Sequence, residues 1–425
     1  MLDRKFIREH TEIVREGLAK KKSGDKLDAY LALDVRRRAL MTEVEQIKAK
    51  RNEASEAIGR AKQAGEDASV AINEMKLVSQ AAKAGDQSIT EMEEELARLE
   101  SWFPNLPDAD VPVGGEDKNE VVRSWGEPRD ADFEVEAHWD LGERLGILHT
   151  DAAAKMSGSG FSMLTGQGAR LERALIQFFL DVHTTEHGYT EMNPPYLVRD
   201  HALFGTGQLP KLADDMYHTG EDGLWLIPTA EVSVTNMLRE QILRAEDLPI
   251  RYVAFSPCFR REAGAAGKDT RGILRVHQFH KVEMVRFCAP DQSATAHEEL
   301  VKNAETLLQR LELPYRVLKL ATGDLSFAAS KCYDLEVYSP GVKQWLEVSS
   351  CSNFGDFQAR RSNIRYRPTE TSKPEFIHTL NGSGLALPRI IVSILEHHQQ
   401  ADGRVRVPEV LRPYMGGSEW IGESA

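Results

Sequence analysis

The sequence predicts an α+β protein in which a helical arm is followed by an antiparallel β-sheet flanked by helices. In the first hundred residues, apolar side chains recur at alternating intervals of three and four, which is the heptad spacing of paired helices. Beyond a proline-rich stretch, short apolar runs typical of strands are mixed with helical patterns. We therefore expect two domains, residues 1–104 and residues 105–425.

The arm is predicted as two long antiparallel helices joined by a turn at Ala64–Ala68. Each helix carries an apolar stripe and needs a partner to bury it. At about 1.5 Å per residue, some 30 residues make an arm of roughly 45 Å. The small residues Ala82 and Gly85 predict close packing. The seam of the second helix is Met75, Val78, Ala82, Gly85, Ile89, Met92, Leu96 and Leu99.

Pro104–Pro112 ends the helical pattern and is predicted to be a linker. After it, Leu171–His187 has the apolar spacing of a helix, and Asn193–Pro195 then breaks into an extended run. A second helix is expected at Leu387–His397, with a proline near its start, where proline is tolerated. The predicted strands are Tyr252–Phe255, Val276–Met284 and Trp345–Ser349.

Composition is that of an ordinary globular protein, with 41% hydrophobic and 28% charged residues. The net charge of −13 argues against a protein that coats nucleic acid, so such a contact requires a local basic patch. We expect no secretory signal and no membrane span, because no apolar run approaches the required 20 or so residues. Cys258, Cys288, Cys332 and Cys351 are widely spaced and fit buried, reduced thiols in a cytoplasmic protein.

The stretch Cys258–Met284 is the most informative part of the chain. Phe259–Glu262 ends one apolar run, and a second run carries Arg275, Phe279 and Glu283, with a glycine-rich charged connection between the two. Two strands joined by such a loop would bring arginines, an aromatic face and carboxylates into one site. Arginine forks bind phosphate oxygens bidentately, and aromatic planes stack on bases. The pattern predicts a site for a polyanion with a flat ring, beside a small cationic or hydroxylated group.

A second element, Asn381–Arg389, lies far downstream. Its small residues allow the backbone to approach a ligand closely, and Arg389 lies near the start of an apolar helix. Taken singly, these residues favour plainer interpretations. Ser383 would be a turn residue between glycines, and Arg260 would form a surface ion pair with Glu262. The order of all of them along one chain favours a functional site.

Two other patterns do not hold up. His277 and His280, near Cys258, stand three apart on a predicted strand, so they would point to opposite faces and zinc is disfavoured. Gly264–Lys268 hints at a phosphate-binding loop, but Glu262 stands where its first glycine should be.

The stretches Cys258–Met284 and Asn381–Arg389 resemble motifs 2 and 3 of class II aminoacyl-tRNA synthetases. Their residues are similar to those of the bacterial-type seryl-tRNA synthetase family. Further matches are MLDRKFIREH at the start, GTGQLPKL at Gly205–Leu212, IPTAEVSVTN at Ile227–Asn236 and WLEVSSCSNFGDFQARR at Trp345–Arg361. The resemblance implies an antiparallel class II catalytic domain at residues 105–425. It also implies a ligase that activates L-serine with Mg·ATP and transfers it to the 3′ end of tRNA(Ser), and also to tRNA(Sec).

The resemblance assigns roles at the nucleotide end of the site. Joining two anions requires fixed positive charge, and Arg260 would bridge the serine carboxylate and the α-phosphate. Glu262 would contact the adenine end, and Arg275 the γ-phosphate. Phe279 and Arg389 would enclose the adenine. The residues expected to bind ATP are Arg260, Arg261, Glu262, Arg275, Val276, Phe279, Glu347, Val348, Ser349, Ser350 and Arg389, of which Arg260, Arg275 and Arg389 are expected to be catalytic.

Glu347 and Ser350 match the positions that hold Mg²⁺ through ATP, and hard oxygen ligands suit that ion. The plainer interpretation of Glu347 is a solvated residue on a strand with alternating faces. No zinc is expected, because no cysteine belongs to a ligand-like cluster.

At the serine end, the resemblance assigns Thr229 and Glu231 to the amino group and Glu283 to the hydroxyl. A buried carboxylate left unpaired by alanine would discriminate by about 10⁴. Threonine would have to be excluded by the pocket wall. The residues expected to bind serine are Thr229, Ala230, Glu231, Arg260, Glu283, Asn381 and Ser383.

The arm is expected to bind tRNA by backbone shape, since it holds few aromatic residues. The basic residues proposed for this are Lys48, Lys50, Arg51, Arg60 and Lys62, with Lys76 and Lys83 on the second helix. Acidic residues lie between them, so a solvated, ion-paired coiled coil is an equal alternative on charge alone. By resemblance the protein is a homodimer, in which Leu171–His187 and the following run match motif 1 and each arm serves the other subunit's site.

Three alternatives remain open. A paralogue could activate an amino acid for a carrier protein, although such relatives usually lack a complete arm. A binding-only paralogue would be expected to lack one or more of the motif residues, all of which are present. A purely structural coiled coil would leave the arginine-bearing motifs without a role.

Overall fold

A computed structural model describes residues 1–263 and 271–423. It divides into two compact units, Leu2–Phe103 and Pro104–Ala425, with Met1 assigned to the second. The glycine-rich connection that includes Gly264–Lys268 lies outside the described residues. Within the ranges given, no helix is both long and apolar enough to cross a membrane.

The first unit is helical and contains the predicted hairpin. Its helices are α1 (Arg4–Glu9), α2 (Thr11–Lys20), α3 (Leu27–Gln63) and α4 (Ser69–Glu100). Helices α3 and α4 pack on each other and are joined at residues 64–68, which confirms the predicted turn. Every predicted seam residue of α4 is buried or half-buried. The close packing is also confirmed, because a Cβ atom added at Gly85 would lie 2.3 Å from Cγ2 of Val44.

At the base of the hairpin, buried Glu100 is the hub of a polar network. Its carboxylate accepts hydrogen bonds from Arg4 Nε at 2.5 Å and from the Tyr30 hydroxyl at 2.8 Å. Arg4 also reaches Glu93 at 2.5 Å. Because a buried carboxylate is costly unless it is paired, these contacts stabilise the crossing of α1, α3 and α4.

The second unit combines a large sheet with helices. Its helices are α5 (His138–Arg144), α6 (Thr150–Ser157), α7 (Gly166–Thr185), α8 (Asp200–Thr206), α9 (Glu231–Asn236), α10 (Ser293–Arg310), α11 (Phe357–Ser362) and α12 (Leu387–His397). The strands are β1 (Glu120–Trp125), β2 (Thr190–Met192), β3 (Leu197–Val198), β4 (Trp225–Leu226), β5 (Ile242–Arg244), β6 (Ile250–Phe259), β7 (Gln278–Cys288), β8 (Tyr315–Lys319), β9 (Lys331–Ser339), β10 (Gln344–Asn353), β11 (Arg365–Arg367), β12 (Glu375–Phe376), β13 (His378–Ala386), β14 (Val405–Arg406) and β15 (Trp420–Ile421).

The main sheet has the strand order β1-β8-β9-β10-β13-β7-β6-β2. Its pairings are antiparallel except that of β2 with β6, which is parallel. The prediction of an antiparallel sheet is therefore confirmed except at this edge. Strand β2 pairs with a strand some sixty residues later along the chain, so no tight hairpin sets its direction. The extended run expected after Asn193–Pro195 is reduced to the two residues of β3.

Helices α7, α10 and α12 pack against the sheet and enclose the main core. Helix α12 spans the predicted residues, with Pro388 in its first turn, and most of its side chains are buried. The predicted strands lie within or overlap β6, β7 and β10, although β7 begins at Gln278 rather than at Val276. The four cysteines are buried and free. Central strands β7, β10 and β13 supply the floor of the site.

Candidate active site

A cavity of about 700 Å³ lies over the strands β7, β10 and β13. Most of the side chains that the sequence predicted for the site line it. They are Thr229, Glu231, Arg260, Glu262, Arg275, Val276, Phe279, Glu283, Glu347, Ser350, Asn381, Ser383 and Arg389. Residues more than 150 positions apart in the chain thus meet in one space.

Four predicted residues do not line the cavity. Ala230 and Val348 are fully buried in hydrophobic clusters. Ser349 is also buried, and its hydroxyl donates to the backbone carbonyl of Ser383 at 2.6 Å. Arg261 is exposed. Each is next to a cavity-lining residue in the chain: Val348 and Ser349 lie on β10, Ala230 immediately precedes α9, and Arg261 follows the end of β6.

Strand β7 shows most clearly the alternation of side chains between the two faces of a strand. Phe279, Lys281 and Glu283 lie two residues apart, and all three line the cavity. Lys281 was not predicted, although its place between two predicted site residues was a sufficient signal. Its ammonium lies 2.5 Å from Oε2 of Glu283, and both side chains are buried.

Strand β10 reaches the same cavity by an irregular path. Glu347 and Ser350 are three residues apart, so a regular strand would point them to opposite faces. The pairing with β9 shifts between Glu347 and Ser349, which makes Val348 an extra residue. Such a bulge turns one strand relative to its partner, and both oxygen-bearing side chains line the cavity.

Strand β13 carries Asn381 and Ser383, two residues apart and both lining the cavity. The interpretation of Ser383 as a turn residue is therefore wrong. The glycines beside it are strand residues that pack closely: a Cβ at Gly382 would lie 2.7 Å from Sγ of Cys351, and one at Gly384 2.4 Å from Nε2 of His183. Small residues are needed here for close packing rather than for a turn.

The end of the cavity to which the resemblance assigns serine, called the serine end below, holds two buried carboxylates and one lysine. Burial, and then the charge of Glu283, raise the pKa of Glu231 to about 7. Gln358, Lys281 and Asn381 act in the opposite direction, because they stabilise its charged form. With both acids ionised, this group carries one net negative charge, which matches an ammonium ligand.

The other end of the cavity, to which the resemblance assigns ATP, is called the nucleotide end below. It holds arginines that contact other groups of the protein. Arg275 Nη1 lies 3.3 Å from Oε2 of Glu262, and Arg389 Nη1 donates to the Glu347 carbonyl at 2.7 Å. The guanidinium of Arg260 lies over the Phe279 ring, 5.2 Å from its centre. Glu262 adopts φ of +50°, a left-handed conformation that is uncommon for a side-chain-bearing residue and concentrates at functional sites.

Behind Ser350, the neighbouring strand β9 places Asp334 and Cys332. The Cys332 sulfur lies 3.2 Å from the Ser350 hydroxyl and 3.5 Å from Oδ1 of Asp334. Burial, and then the charge of Glu347, hold the pKa of Asp334 well above its ordinary value. The oxygens of Glu347 and Ser350 are hard donors, which suit Mg²⁺ better than a soft metal.

The two histidines considered for zinc have separate partners. Nδ1 of His277 lies 2.9 Å from the Arg260 carbonyl, and Nδ1 of His280 lies 2.9 Å from the Glu172 carboxylate. In the described part of the chain, no three His, Cys, Asp or Glu side chains are grouped as metal ligands.

Several cavity residues had not been predicted individually. Thr206, Gly207 and Gln208 come from the GTGQLPKL segment, which was matched as a motif but given no role. Asp215 and Phe327 also line the cavity, and neither lies in a pattern that would have identified it. Beneath the lining, Gln358 from the FGDFQARR segment donates to the Glu231 carboxylate at 2.6 Å.

The basic residues proposed for tRNA lie on the arm, in the first unit. Lys50, Arg60 and Lys62 are exposed, whereas Lys48 and Arg51 are half-exposed. Lys48 pairs with Asp86 at 2.7 Å. Lys76 and Lys83 on α4 are exposed. The arm thus contains both the free basic charges and the ion pairs that the sequence had left as alternatives.

Comparison with known proteins agrees with this geometry. A profile of the tRNA synthetase class II core domain (G, H, P, S and T) matches residues 215–398, and one of the seryl-tRNA synthetase N-terminal domain matches residues 1–107. The chain is 55% identical to a serine–tRNA ligase of Thermomicrobium roseum over 99% of its own length and 95% of the relative's. It is 52% identical to one of Desulfitobacterium hafniense, over 99% and 100%.

Among solved structures, seryl-tRNA synthetase of Pyrococcus horikoshii complexed with ATP aligns over all of both chains, with a TM-score of 0.95 and 38% identity. The cytoplasmic serine–tRNA ligase of Naegleria fowleri in complex with AMP aligns over 100% and 99%, with a TM-score of 0.90 and 29% identity. These likenesses extend over both units of the chain, and the resemblance of its motifs is confirmed. The chain belongs to the seryl-tRNA synthetase family of class II aminoacyl-tRNA synthetases.

Proposed function

We propose that this chain activates L-serine with ATP to form seryl-adenylate, and then transfers serine to the 3′ end of tRNA(Ser), and of tRNA(Sec) where one is present. The observation that carries the proposal is a single cavity with acids at its buried end and arginines at its open end. A zwitterion fits the first end, with its carboxylate turned toward a polyphosphate at the second.

In the first step, a serine carboxylate oxygen attacks the α-phosphorus of ATP. A P–O bond forms, the bond to the β-phosphate oxygen breaks, and pyrophosphate leaves with the electron pair. Arg260 would hold both anions by fixed positive charge, and Arg275 would hold the outer phosphate. In the second step, the terminal ribose hydroxyl of tRNA attacks the seryl carbonyl carbon and an ester bond forms. The carbonyl C–O bond to the phosphate breaks, AMP leaves with the electron pair, and the hydroxyl proton passes to the departing phosphate or to water. Positioning and charge neutralisation are sufficient, so no side-chain nucleophile is required.

Recognition of serine would fall to the buried end. Glu231 and Thr229 would hold the ammonium, and Glu283 would accept the hydrogen bond of the serine hydroxyl. Asn381 and Ser383 would close the side-chain end. Alanine would leave the Glu283 carboxylate without that partner, in a site where an unpaired polar group is costly.

Glu347 and Ser350 would hold Mg²⁺ together with ATP, as their hard oxygen donors allow. When bound, the ion supplies positive charge to the phosphate oxygens. Arg389, which lies 3.5 Å from the Glu347 carboxylate, would then be free to face the adenine together with Phe279. Burial of Asp334 next to Glu347 supports the view that this end of the sheet favours added positive charge.

We also propose that residues 1–104 form a tRNA-binding arm and residues 105–425 the catalytic domain of a cytoplasmic homodimer. Exposed Lys50, Arg60 and Lys62 support the first part, since lysine and arginine bind phosphates and release counterions. The dimer is supported by the resemblance of Leu171–His187 and the extended run after Asn193–Pro195 to motif 1, and the compartment by four free cysteines.

The decisive measurement is ATP–pyrophosphate exchange with each of the twenty amino acids, using wild type and Glu283→Ala. We expect exchange with serine alone and its loss in the variant. Exchange with another amino acid would overturn the substrate, and no exchange from folded protein with Mg·ATP would overturn the enzyme. Charging of a carrier protein instead of tRNA after normal exchange would favour the carrier-loading alternative.

A further inference from the structure

The Gln358 side chain is the most constrained polar group around the cavity. It is 1% exposed and reaches three separate elements of the fold. Its Nε2 donates to the Thr206 carbonyl at 3.1 Å and to Oε1 of Glu231 at 2.6 Å. Its Oε1 accepts the hydroxyl of Thr379 on β13 at 2.7 Å.

These contacts determine which way the amide faces. The Thr206 carbonyl can only accept a hydrogen bond, so the nitrogen of Gln358 must point toward it. The second N–H of the same nitrogen is then directed at Glu231. A hydrogen bond donated to a carboxylate is stronger when that carboxylate is ionised, so this contact favours the charged form of Glu231.

We propose that Gln358 is a positioning residue that keeps the Glu231 carboxylate ionised and directed at the substrate ammonium. The inference rests on the proposed function, in which Glu231 binds the amino group of serine. Gln358 does not line the cavity, so it acts through Glu231 rather than by touching the substrate.

The surroundings of Glu231 explain why such help is needed. From β7, Glu283 and Lys281 face it with opposite charges. The segment after α8 presents the neutral Gln208, whose Nε2 lies 3.5 Å away, and β13 presents the neutral Asn381. On α11, the Arg361 guanidinium donates to the Phe204 and Leu209 carbonyls. Because burial and the charge of Glu283 raise the pKa of Glu231 to about 7, close to neutral pH, one hydrogen bond changes its ionised fraction substantially.

The test compares wild type with Gln358→Met, which keeps the length of the side chain and removes both N–H donors. A hydrogen bond donated to a charged group favours the charged form by about one to two pKa units. We therefore expect kcat/KM for serine at pH 7 to fall about 5- to 50-fold, because that profile follows the free enzyme's ionisation. The KM for ATP should stay within about twofold.

The pH dependence separates this role from a structural one. The ratio of wild type to variant should be largest at pH 6 and shrink to within about fourfold at pH 8.5, where Glu231 would be almost fully ionised in wild type and about a quarter to three quarters ionised in the variant. Titration of the serine amine cancels in this ratio. A ratio independent of pH, or no loss of kcat/KM, would overturn the proposal.

Thr379→Val is the matched control, because it removes a hydrogen bond from the same amide but leaves the donor to Glu231. It should keep the wild-type pH profile, and a shift equal to that of Gln358→Met would overturn the proposal. If Gln358→Met does not fold, Gln358→Glu preserves the shape of the side chain. It should shift the pH profile of kcat/KM in the same direction, since two carboxyls would share the site. An unchanged profile in that variant would contradict the proposal. Absence of serine-dependent exchange in wild type would instead sink the proposed function itself.

Discussion

The two ends of the cavity handle charge differently. At the serine end, Glu231, Lys281 and Glu283 are each at most 7% exposed and are balanced against one another. At the nucleotide end, the side chains of Glu347 and Arg389 are 46% and 24% exposed, 3.5 Å apart. Buried charges interact strongly and depend on their partners, whereas solvated pairs contribute little and exchange partners easily.

This contrast suits the two ligands. Serine is small, so its recognition depends on a few buried contacts that must be in place before it arrives. ATP is large and strongly charged, so its contacts can form as arginines release their internal acidic partners. We therefore expect the serine end to be preorganised, and the arginines of the nucleotide end to exchange their acidic protein partners for phosphates when ATP binds.

The sharpest way to break this comparison is to remove one cation from each end. Lys281→Met leaves Glu283 buried without its partner, and we expect a loss of about 3–5 kcal/mol in the free energy of unfolding. Arg275→Met, at the other end, should cost about 1 kcal/mol or less, because its pair with Glu262 is partly solvated. Urea unfolding monitored by circular dichroism measures both.

A double variant tests the cause of that loss. Lys281→Met with Glu283→Gln removes both charges of the buried pair and should recover much of the stability, since no uncompensated charge remains. Equal losses in the two single variants would contradict the distinction between the ends.

The nucleotide end, which should contribute less to stability than the serine end, should nevertheless show a large effect on catalytic activity. Arg260 is exposed, so Arg260→Met should change stability by no more than about 0.5 kcal/mol. Because it would supply fixed charge to the joining anions, its loss should lower kcat for ATP–pyrophosphate exchange by about 10²- to 10³-fold. Arg244→Met, an exposed arginine paired with Asp247 outside the cavity, is the control and should retain wild-type exchange. If Arg260→Met lowers kcat only slightly, Arg260 does not stabilise the reacting anions.

The raised pKa of Glu231 predicts how stability depends on pH. Below about 4.5 the carboxyl is protonated in both states, and above about 7 it is ionised in both. Between these values only the unfolded chain loses the proton, so this residue's contribution to stability falls as pH rises. The difference in unfolding free energy between wild type and Glu231→Gln should therefore change by about 1.4 kcal/mol per pH unit between pH 4.5 and 7, which amounts to at most a few kcal/mol. A flat difference would show that Glu231 titrates normally.

The smallest effects are expected on the arm, where charges are solvated. Lys62→Ala should raise the KM for tRNA by a few-fold and reduce the salt dependence of binding by about 0.9 in the log–log slope, as one phosphate contact is lost. Lys48→Ala should do less, because Asp86 already neutralises that lysine. Exchange activity, measured in the absence of tRNA, should be unchanged in both. Larger effects on exchange than on charging would argue against a role of the arm in tRNA binding.

The sequence predicted best what depends on local periodicity. Apolar spacing predicted the seam of α4 and the bounds of α12. Helix α4 packs against α3 as expected, and α12 spans the predicted residues. On β7, alternation from Phe279 to Glu283 also implied Lys281. The same rule failed for Glu347 and Ser350, because the bulge at Val348 depends on pairing with β9 and leaves no mark in the spacing.

Long-range arrangement accounts for the other differences. Two features join segments that are far apart in the chain. They are the parallel pairing of β2 with β6 and the hydrogen bond from Gln358 to Glu231. Neither segment alone carries a pattern that indicates its partner. The glycines around Ser383 were misread for a related reason, since the neighbours that require them, Cys351 and His183, come from other elements.

Gly85 has a consequence for engineering. A stability-guided redesign would replace this mid-helix glycine by alanine, expecting to gain about 1 kcal/mol from helix propensity. Here the added methyl group would collide with Val44, a β-branched side chain that cannot swing aside. The substitution should instead force α3 and α4 apart and move the far end of the hairpin. Thermostabilised versions of this enzyme would have to change both positions together, for example with alanine at each, or leave the glycine in place.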